Sequence, residues 1–463
     1  MTEPAQAQAV VANPDLGARV RELDRAHVFH TWSAQAEIDP LAVAGGKGAY
    51  FFDYDGKRYL DFSSQLVNLN LGHGNPVLLQ AIAEQGQKLA TIAPSFANEA
   101  RSEAARAIAE IAPDGLNKVF FTNAGADANE HAIRMARMHT GRVKVMTFYR
   151  SYHGATSGAI AMTGDPRRWA NEATAMPGVV HFWGPYPYRS AFYARDAQQE
   201  CERALEHLRN VLMVEGPDTV AAIVMETVVG TNGILVPPDG YLAGVRQICD
   251  EHGIVMICDE VMAGFTRCGQ WFAVQHWDVA PDLITFAKGV TSGYVQLGGV
   301  LISDSIARTF DHRAYPGGLT YSGHLLGCAV ALASIRYMRE QDLNAHVRRL
   351  GDEVIGPGLR ELAGRHPSVG EVRGLGAFWA VELVRDRATR EPLVPFNARG
   401  DAARPMAEFK QACLDNGLWP FVHFNRTHVA PPCIATAEEV REGLAILDQA
   451  LDVADRHYTG RDA

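Results

Sequence analysis

IVMICDE, residues 254–260, and LITFAKG, residues 283–289, are the two stretches on which the fold turns. Each is a short apolar run that ends on charge, Asp259 and Glu260 in the first and Lys288 in the second. A run of this length without polar alternation reads as a strand buried on both faces. Four other runs share the character: KVFFTN (118–123), VKVMTFY (143–149), VAAIVME (220–226) and GGVLIS (298–303). Helical patterns such as EARSEAARAIAEIA (99–112) alternate with them. That alternation implies crossover units, and so an α/β fold with a mainly parallel sheet covered by helices.

Working outward, GAYFFDYDGKRYLDFSS (48–64) alternates aromatic and polar residues about Asp55-Gly56, a hairpin signal. Residues 1 to 20 read as a loose Ala-rich arm. Beyond residue 330 a long helical pattern (331–354) leads to strands such as GAFWAVELV (376–384). The expected organisation is an arm and part of a small lobe in 1–74, a large domain in 75–330, and the rest of a smaller α/β lobe in 331–463. A chain of 463 residues is long for one core, which agrees with two lobes.

A formal charge of -10, with no block of Lys and Arg, argues against nucleic acid or an anionic membrane as partner. With 47% hydrophobic and 21% charged residues the chain is no disordered polymer. The seven cysteines are scattered without metal-ligand spacing, so they read as reduced thiols of a cytoplasmic protein, and no metal is expected. No secretory pattern opens the chain and no run is long enough to span a bilayer. Small molecules are the expected partners.

Ligands of open α/β sheets collect beyond the carboxyl ends of the strands. Those ends carry Asn123 to Gly125, Tyr152-His153-Gly154, Glu226, Asp259-Glu260 and Lys288. Alone, Lys288 reads more readily as a snorkelling lysine or half of an ion pair, and Asp259 as a helix cap. Together, one βαβ unit apart, they suit pyridoxal phosphate: the lysine forms a Schiff base with its aldehyde and the carboxylate keeps its pyridine nitrogen protonated. In TNAGADANEHAIRMAR (122–137) a strand end, small residues and a helix start could offer the N–H groups of Gly125 and Ala126 to the phosphate, provided Asp127 and Glu130 point away. The alternative is an ordinary turn capped by Asn123. Tyr152 could stack on the pyridine ring or be a half-buried strand-end tyrosine.

The series DGKRYLDF, NLGHGNP, TNAGADANEHAIRMAR, SYHGAT, GILVPPDGYL, ICDEVMAGFTRCG, PDLITFAKG, LTYSGH and APPC, in that order, resembles the class III or ω-type aminotransferases of the fold-type I pyridoxal-phosphate enzymes. FSSQLVN and HFNR look most like taurine:pyruvate and amine:pyruvate members. The resemblance implies Lys288 as the Schiff-base lysine, acting also as general base and acid, and Asp259 as the partner of the pyridine nitrogen. It implies Val261 and Tyr152 on the two ring faces, Gly125 and Ala126 at the phosphate, and Glu226 and His153 among the cofactor's surroundings. Thr320 would reach the phosphate of a neighbouring subunit, so a homodimer with shared sites is implied. Glu260, pointing the other way, would serve structure.

The implied reaction passes an amino group from a primary amine or ω-amino acid (taurine-like, β-alanine-like or arylalkyl) to pyruvate, ping-pong through pyridoxamine phosphate. Leu66, Val67, Thr231 and Arg426 are the expected substrate-pocket residues, Arg426 for a carboxylate or sulfonate unless it is a surface arginine. Thr227, Thr266, Gln296, Gly317 and Leu325 depart from residues usual in the family. Other reactions of the same cofactor, such as those of lyases, decarboxylases and aminomutases, or a non-catalytic phosphate binder, stay open on the residues alone.

Overall fold

The Asp55-Gly56 signal joins β2 (Tyr50–Asp53) to β3 (Arg58–Asp61), with β1 (Val43–Lys47) antiparallel to β2. Gly56 sits at φ +85°, the left-handed region that the turn requires. In the computed structural model, which describes residues 12–460, this hairpin belongs to a small lobe.

The six apolar runs become β4 (Leu116–Thr122), β5 (Lys144–Phe148), β7 (Val220–Glu226), β8 (Val255–Asp259), β9 (Leu283–Phe286) and β10 (Gly298–Ser303). A seventh strand, β6 (Val179–Phe182), adds at the edge beyond β5. It is short and only half-buried, so the long apolar run that marked the others is missing. The sheet order is β4-β10-β9-β8-β7-β5-β6, and only β10 runs antiparallel to its neighbours.

Alternation along each strand sends side chains to two cores. Ala222 and Val224 of β7 and Val255 and Ile257 of β8 pack with Ala128, Ala132 and Ile133 of the helix Gly125–Thr140. Ile223, Met225, Met256 and Cys258 join a larger core on the other face. By the same parity Glu226 and Asp259, paired in register, face the helix side, and Glu260 faces away. Glu260 accepts hydrogen bonds from the N–H groups of Ala273 (2.9 Å) and Val274 (2.8 Å), a structural role.

The small lobe gathers β11 (Val369–Leu375), β12 (Phe378–Asp386), β13 (Glu391–Pro392), β14 (Leu418–Trp419), β15 (Phe421–His423) and β16 (Arg426–Val429). An antiparallel sheet runs β11-β12-β16-β15, with β13 against β12. β14 pairs parallel with β3, Leu418 opposite Leu60, and so stitches the first part of the chain to the last. One core holds Leu60 and Phe62 together with Leu359, Phe409 and Leu447.

Two expectations need correction. Residues 14 to 20 of the arm are not loose: Pro14–His27 is a helix, capped by Asn13, whose side chain accepts the Leu16 N–H at 3.1 Å. Residues 1–11 lie outside the described residues. The division at 330 falls inside the helix Leu325–Glu340, whose Ile335 and Met338 pack in the large core; packing passes to the small lobe between Leu343 and Val347. Among the described residues no helix is long and apolar enough to cross a membrane.

Candidate active site

The rim of β4, β5, β7, β8 and β9 opens into a cavity of about 930 Å³, lined by Asn123 to Ala126, Tyr152, His153, Glu226, Thr231, Asp259, Val261 and Lys288. At its floor Asp259 is nearly inaccessible and fully engaged. Its Oδ2 accepts from Asn129 Nδ2 and from His153 Nδ1, both at 2.8 Å, and its Oδ1 accepts the Val261 N–H at 3.0 Å. Burial works against charge on His153, but the bond to Asp259 and the nearby acids outweigh it, so its pKa stands above the ordinary histidine value.

Asn129 ties this floor together. It donates also to the His153 carbonyl (2.8 Å) and accepts from Thr285 Oγ1 (2.8 Å), so one side chain links β9, β8 and the loop after β5. Glu226 accepts the N–H groups of Tyr152 (2.9 Å) and Gly230 (2.7 Å). Burial pushes its carboxyl up to about 7, with the charge of Asp259 adding to the effect and His153 opposing it.

Lys288 follows β9 at φ +44° and lines the same cavity. Among the described residues it forms no ion pair within 4.0 Å, which excludes the simple salt bridge with Asp259. Desolvation pulls its amine down to about 8, against the pull of Asp259 and Glu226 and with some help from Arg167.

The helix Gly125–Thr140 begins at the rim with no side-chain cap, leaving its first N–H groups for a ligand. A Cβ on Gly125 would lie 2.8 Å from Val261 Cγ2, so only glycine allows this approach. Glu130 points away, accepting the N–H groups of Gly158 (2.6 Å) and Ala159 (3.1 Å), and neither it nor Asp127 lines the cavity.

Other candidates divide. Leu66 and Thr231 line the cavity, but Val67 does not: it is buried in a core with Val228, Ile234 and Met262. Ser64, Gln65 and Val67 all have positive φ, so this segment is an irregular turn without a regular alternation of side chains. Arg426 is neither a surface arginine nor a cavity wall; it is buried on β16 beside Glu382 and Arg373, and burial draws its pKa down to about 10. Thr320 is exposed and outside the cavity of its own chain. The sequence reading missed Asn129, Arg167, His423 and Trp32, which line the cavity. For Asn129 the signal was its place one turn after Gly125; for Arg167, an Asp165-Pro166 helix start whose cap bonds the Arg167 N–H at 2.9 Å.

An unpaired amine, a carboxylate held by three donors and an uncapped helix start around one cavity fit the aldehyde, ring nitrogen and phosphate of pyridoxal phosphate. Comparison with known proteins agrees. The Aminotransferase class-III family model matches residues 32–451. The chain is 32% identical to taurine–pyruvate aminotransferase of Bilophila wadsworthia, over 95% of this chain and 98% of that one. It is 33% identical to putrescine–pyruvate aminotransferase of Pseudomonas aeruginosa, over 89% and 90%. Among solved structures, taurine:2-oxoglutarate aminotransferase from Bifidobacterium kashiwanohense, in complex with PLP and glutamate, superposes with a TM-score of 0.92 at 43% identity, covering 96% of this chain and 99% of that one. An (S)-enantioselective omega-transaminase from Thermomicrobium roseum gives a TM-score of 0.88 at 34% identity, over 96% and 99%.

Proposed function

Since this chain belongs to the class-III aminotransferases, fold-type I enzymes that use pyridoxal phosphate, we propose that it moves the amino group of a primary amine or ω-amino acid to pyruvate in two half-reactions. The observation that carries the reading is the pairing of a free Lys288 with an Asp259 locked by three donors in one cavity. When bound, pyridoxal phosphate supplies an electron-withdrawing ring that accepts the charge left as the substrate carbon loses its proton.

Lys288 is the residue that would hold the cofactor, and its amine would carry the proton to and from the substrate carbon. An amine poised near 8 is neutral often enough to accept a proton and basic enough to be protonated for the return step. Asp259 would meet the ring nitrogen of the bound cofactor, and Asn129 and His153 hold its carboxylate in place through hydrogen bonds of 2.8 Å. Gly125 and Ala126 would hold the phosphate by backbone N–H, Val261 and Tyr152 would pack beside the ring, and Glu226 fixes Tyr152 through its backbone. Thr320, exposed on its own chain, would complete the phosphate site of a second copy in a homodimer. Seven unpaired, buried cysteines suit a cytoplasmic setting.

The test is the visible absorbance of the purified holoenzyme. L-alanine should bleach the yellow colour and pyruvate should restore it, with keto acid consumed stoichiometrically against amine. A protein that stays colourless with added pyridoxal phosphate refutes the cofactor assignment. Colour that pyruvate cannot restore, but 2-oxoglutarate can, moves the acceptor to that keto acid.

A further inference from the structure

Before the helix Leu325–Glu340 begins, the chain lays a strap along the helix Gly125–Thr140. His139 Nδ1 meets Thr309 Oγ1 at 2.7 Å, and Arg313 Nη1 donates to the Met138 carbonyl at 3.1 Å. About two turns nearer the helix start, Tyr315 Oη bonds His131 Nδ1 at 2.6 Å. The strap therefore runs from the end of the helix toward Gly125, where the N–H groups offered to the phosphate lie. Farther on, Ser322 Oγ donates to the Phe121 carbonyl of β4 at 2.8 Å, and the Gly323 carbonyl accepts from Arg101 Nε at 3.0 Å. Between these two anchors Gly318, Thr320 and Tyr321 are exposed.

The first anchor is fixed on every side. The Tyr315 ring meets Phe120 and Phe310 edge to face, with centroids 5.5 and 5.2 Å away. His131 is nearly inaccessible; burial, then the charge of Arg134, holds its pKa below the ordinary histidine value against Asp127 and Glu130, so its ring is neutral. Burial pushes the Tyr315 phenol up to about 12, so it stays protonated and donates, and Nδ1 accepts. Gly317 then closes over the ring: a Cβ there would lie 2.6 Å from Tyr315 Cε1 and 2.8 Å from Cζ. With its hydroxyl held and two phenylalanines beside it, the ring has no room to yield to a side chain at 317. Gly317 is one of the positions at which this chain departs from its family, and its lack of a side chain lets the strap lie on Tyr315.

We infer that Tyr315, pinned by His131 and overlaid by Gly317, positions the strap so that Thr320 reaches the phosphate bound by a second copy of the chain. Tyr315 is a positioning residue, since it does not line the cavity of its own chain. The inference rests on the reading of the enzyme as a homodimer with shared phosphate sites. Without this anchor the span 316–321 would hang from Ser322 and Gly323 alone, and the adjacent Gly317 and Gly318 would open many conformations to it. Thr320 would meet the phosphate in only a fraction of them. Cofactor affinity falls by that fraction, while the chemistry at Lys288 is untouched.

The test is a double-mutant cycle on the full-length protein, titrated with pyridoxal phosphate and followed by fluorescence. Thr320→Ala should weaken binding by about 10-fold or more, the loss expected for one hydrogen bond to a charged group. Tyr315→Phe keeps the ring and loses only the hydroxyl. It should weaken binding by about 3- to 10-fold and leave kcat at saturating cofactor within about twofold of the parent. In the Thr320→Ala background Tyr315→Phe should have no further effect, because both act through one contact. Gly317→Ala crowds the ring without touching the hydroxyl; it should match Tyr315→Phe, and it decides if that variant does not fold. Unchanged affinity in Tyr315→Phe, or full independent losses in the double variant, would overturn the inference. Thr320→Ala binding the cofactor like the parent, or a parent that runs as a monomer on a sizing column, refutes instead the shared-site reading beneath it.

Discussion

Replacing Thr266 by glycine should make the protein more stable. Thr266 is fully buried at φ +71°, in a turn where its N–H donates to the Gln270 carbonyl (3.1 Å) and its own carbonyl accepts the Gly269 N–H (2.8 Å). A β-branched residue held in the left-handed region costs about 1–2 kcal/mol. Its Oγ1 is buried without a partner among the described residues, which costs about 1–3 kcal/mol more. Against this, glycine loses a buried methyl worth about 0.8 kcal/mol and adds about 0.4–1 kcal/mol of flexibility to the unfolded chain. The balance favours glycine by about 2 kcal/mol. The assay is the urea midpoint at fixed protein and saturating pyridoxal phosphate, with Thr266→Val as control. Valine removes the hydroxyl but keeps the strained backbone and the buried methyl, so its midpoint should also rise above the parent's, by about the 1–3 kcal/mol of the lost unpaired hydroxyl. A glycine variant with a midpoint at or below the parent would refute the reasoning.

Lys288→Ala should lower transamination by several orders of magnitude while the purified protein keeps its fold by circular dichroism. Asp259→Asn should reduce single-turnover rates far more than it weakens cofactor binding, because its carboxylate acts on the ring's charge; equal losses in both measurements would contradict this. Gly125→Ala should weaken pyridoxal phosphate by about tenfold in a fluorescence titration, since the added Cβ meets Val261 Cγ2 at 2.8 Å. Reloading of stripped enzyme should speed up as pH rises toward 8 and level off above it. The sign follows from Lys288, whose attacking form is the neutral amine and whose pKa is lowered to about 8. A rate still rising between pH 9 and 10 would count against that value.

The parts of the site that were legible in the sequence are those fixed by strand parity and strand ends. Asp259 and Glu260 are adjacent, yet alternation alone sends them to opposite faces, and the structure gives one to the cavity and the other to backbone N–H groups. Lys288 and Gly125 could be placed for the same reason, each lying at a junction that a short apolar run marks. Val67 was misplaced because three positive-φ residues, Ser64, Gln65 and Val67, deny the segment a regular alternation, and nothing in SSQLVN announces them. Arg426 was misjudged because its burial depends on Glu382 and Arg373, distant in sequence and brought together only by the β12-β16 ladder. Arg167 went unseen because its relation to Tyr152 arises from a loop folding back over the ring, which leaves no periodic trace.

The pairing of β14 with β3 also bears on how the protein is made. Leu60 and Phe62 leave the ribosome early, but the strand and helices that cover them come near the end of the chain. With about 360 residues between, synthesis at ~5–20 residues per second leaves that surface bare for roughly 20–70 s. The large sheet, whose strands all lie between residues 116 and 303, can close during that interval. The nascent small lobe is then the span where a chaperone would be needed, and where a slow codon would lengthen exposure most.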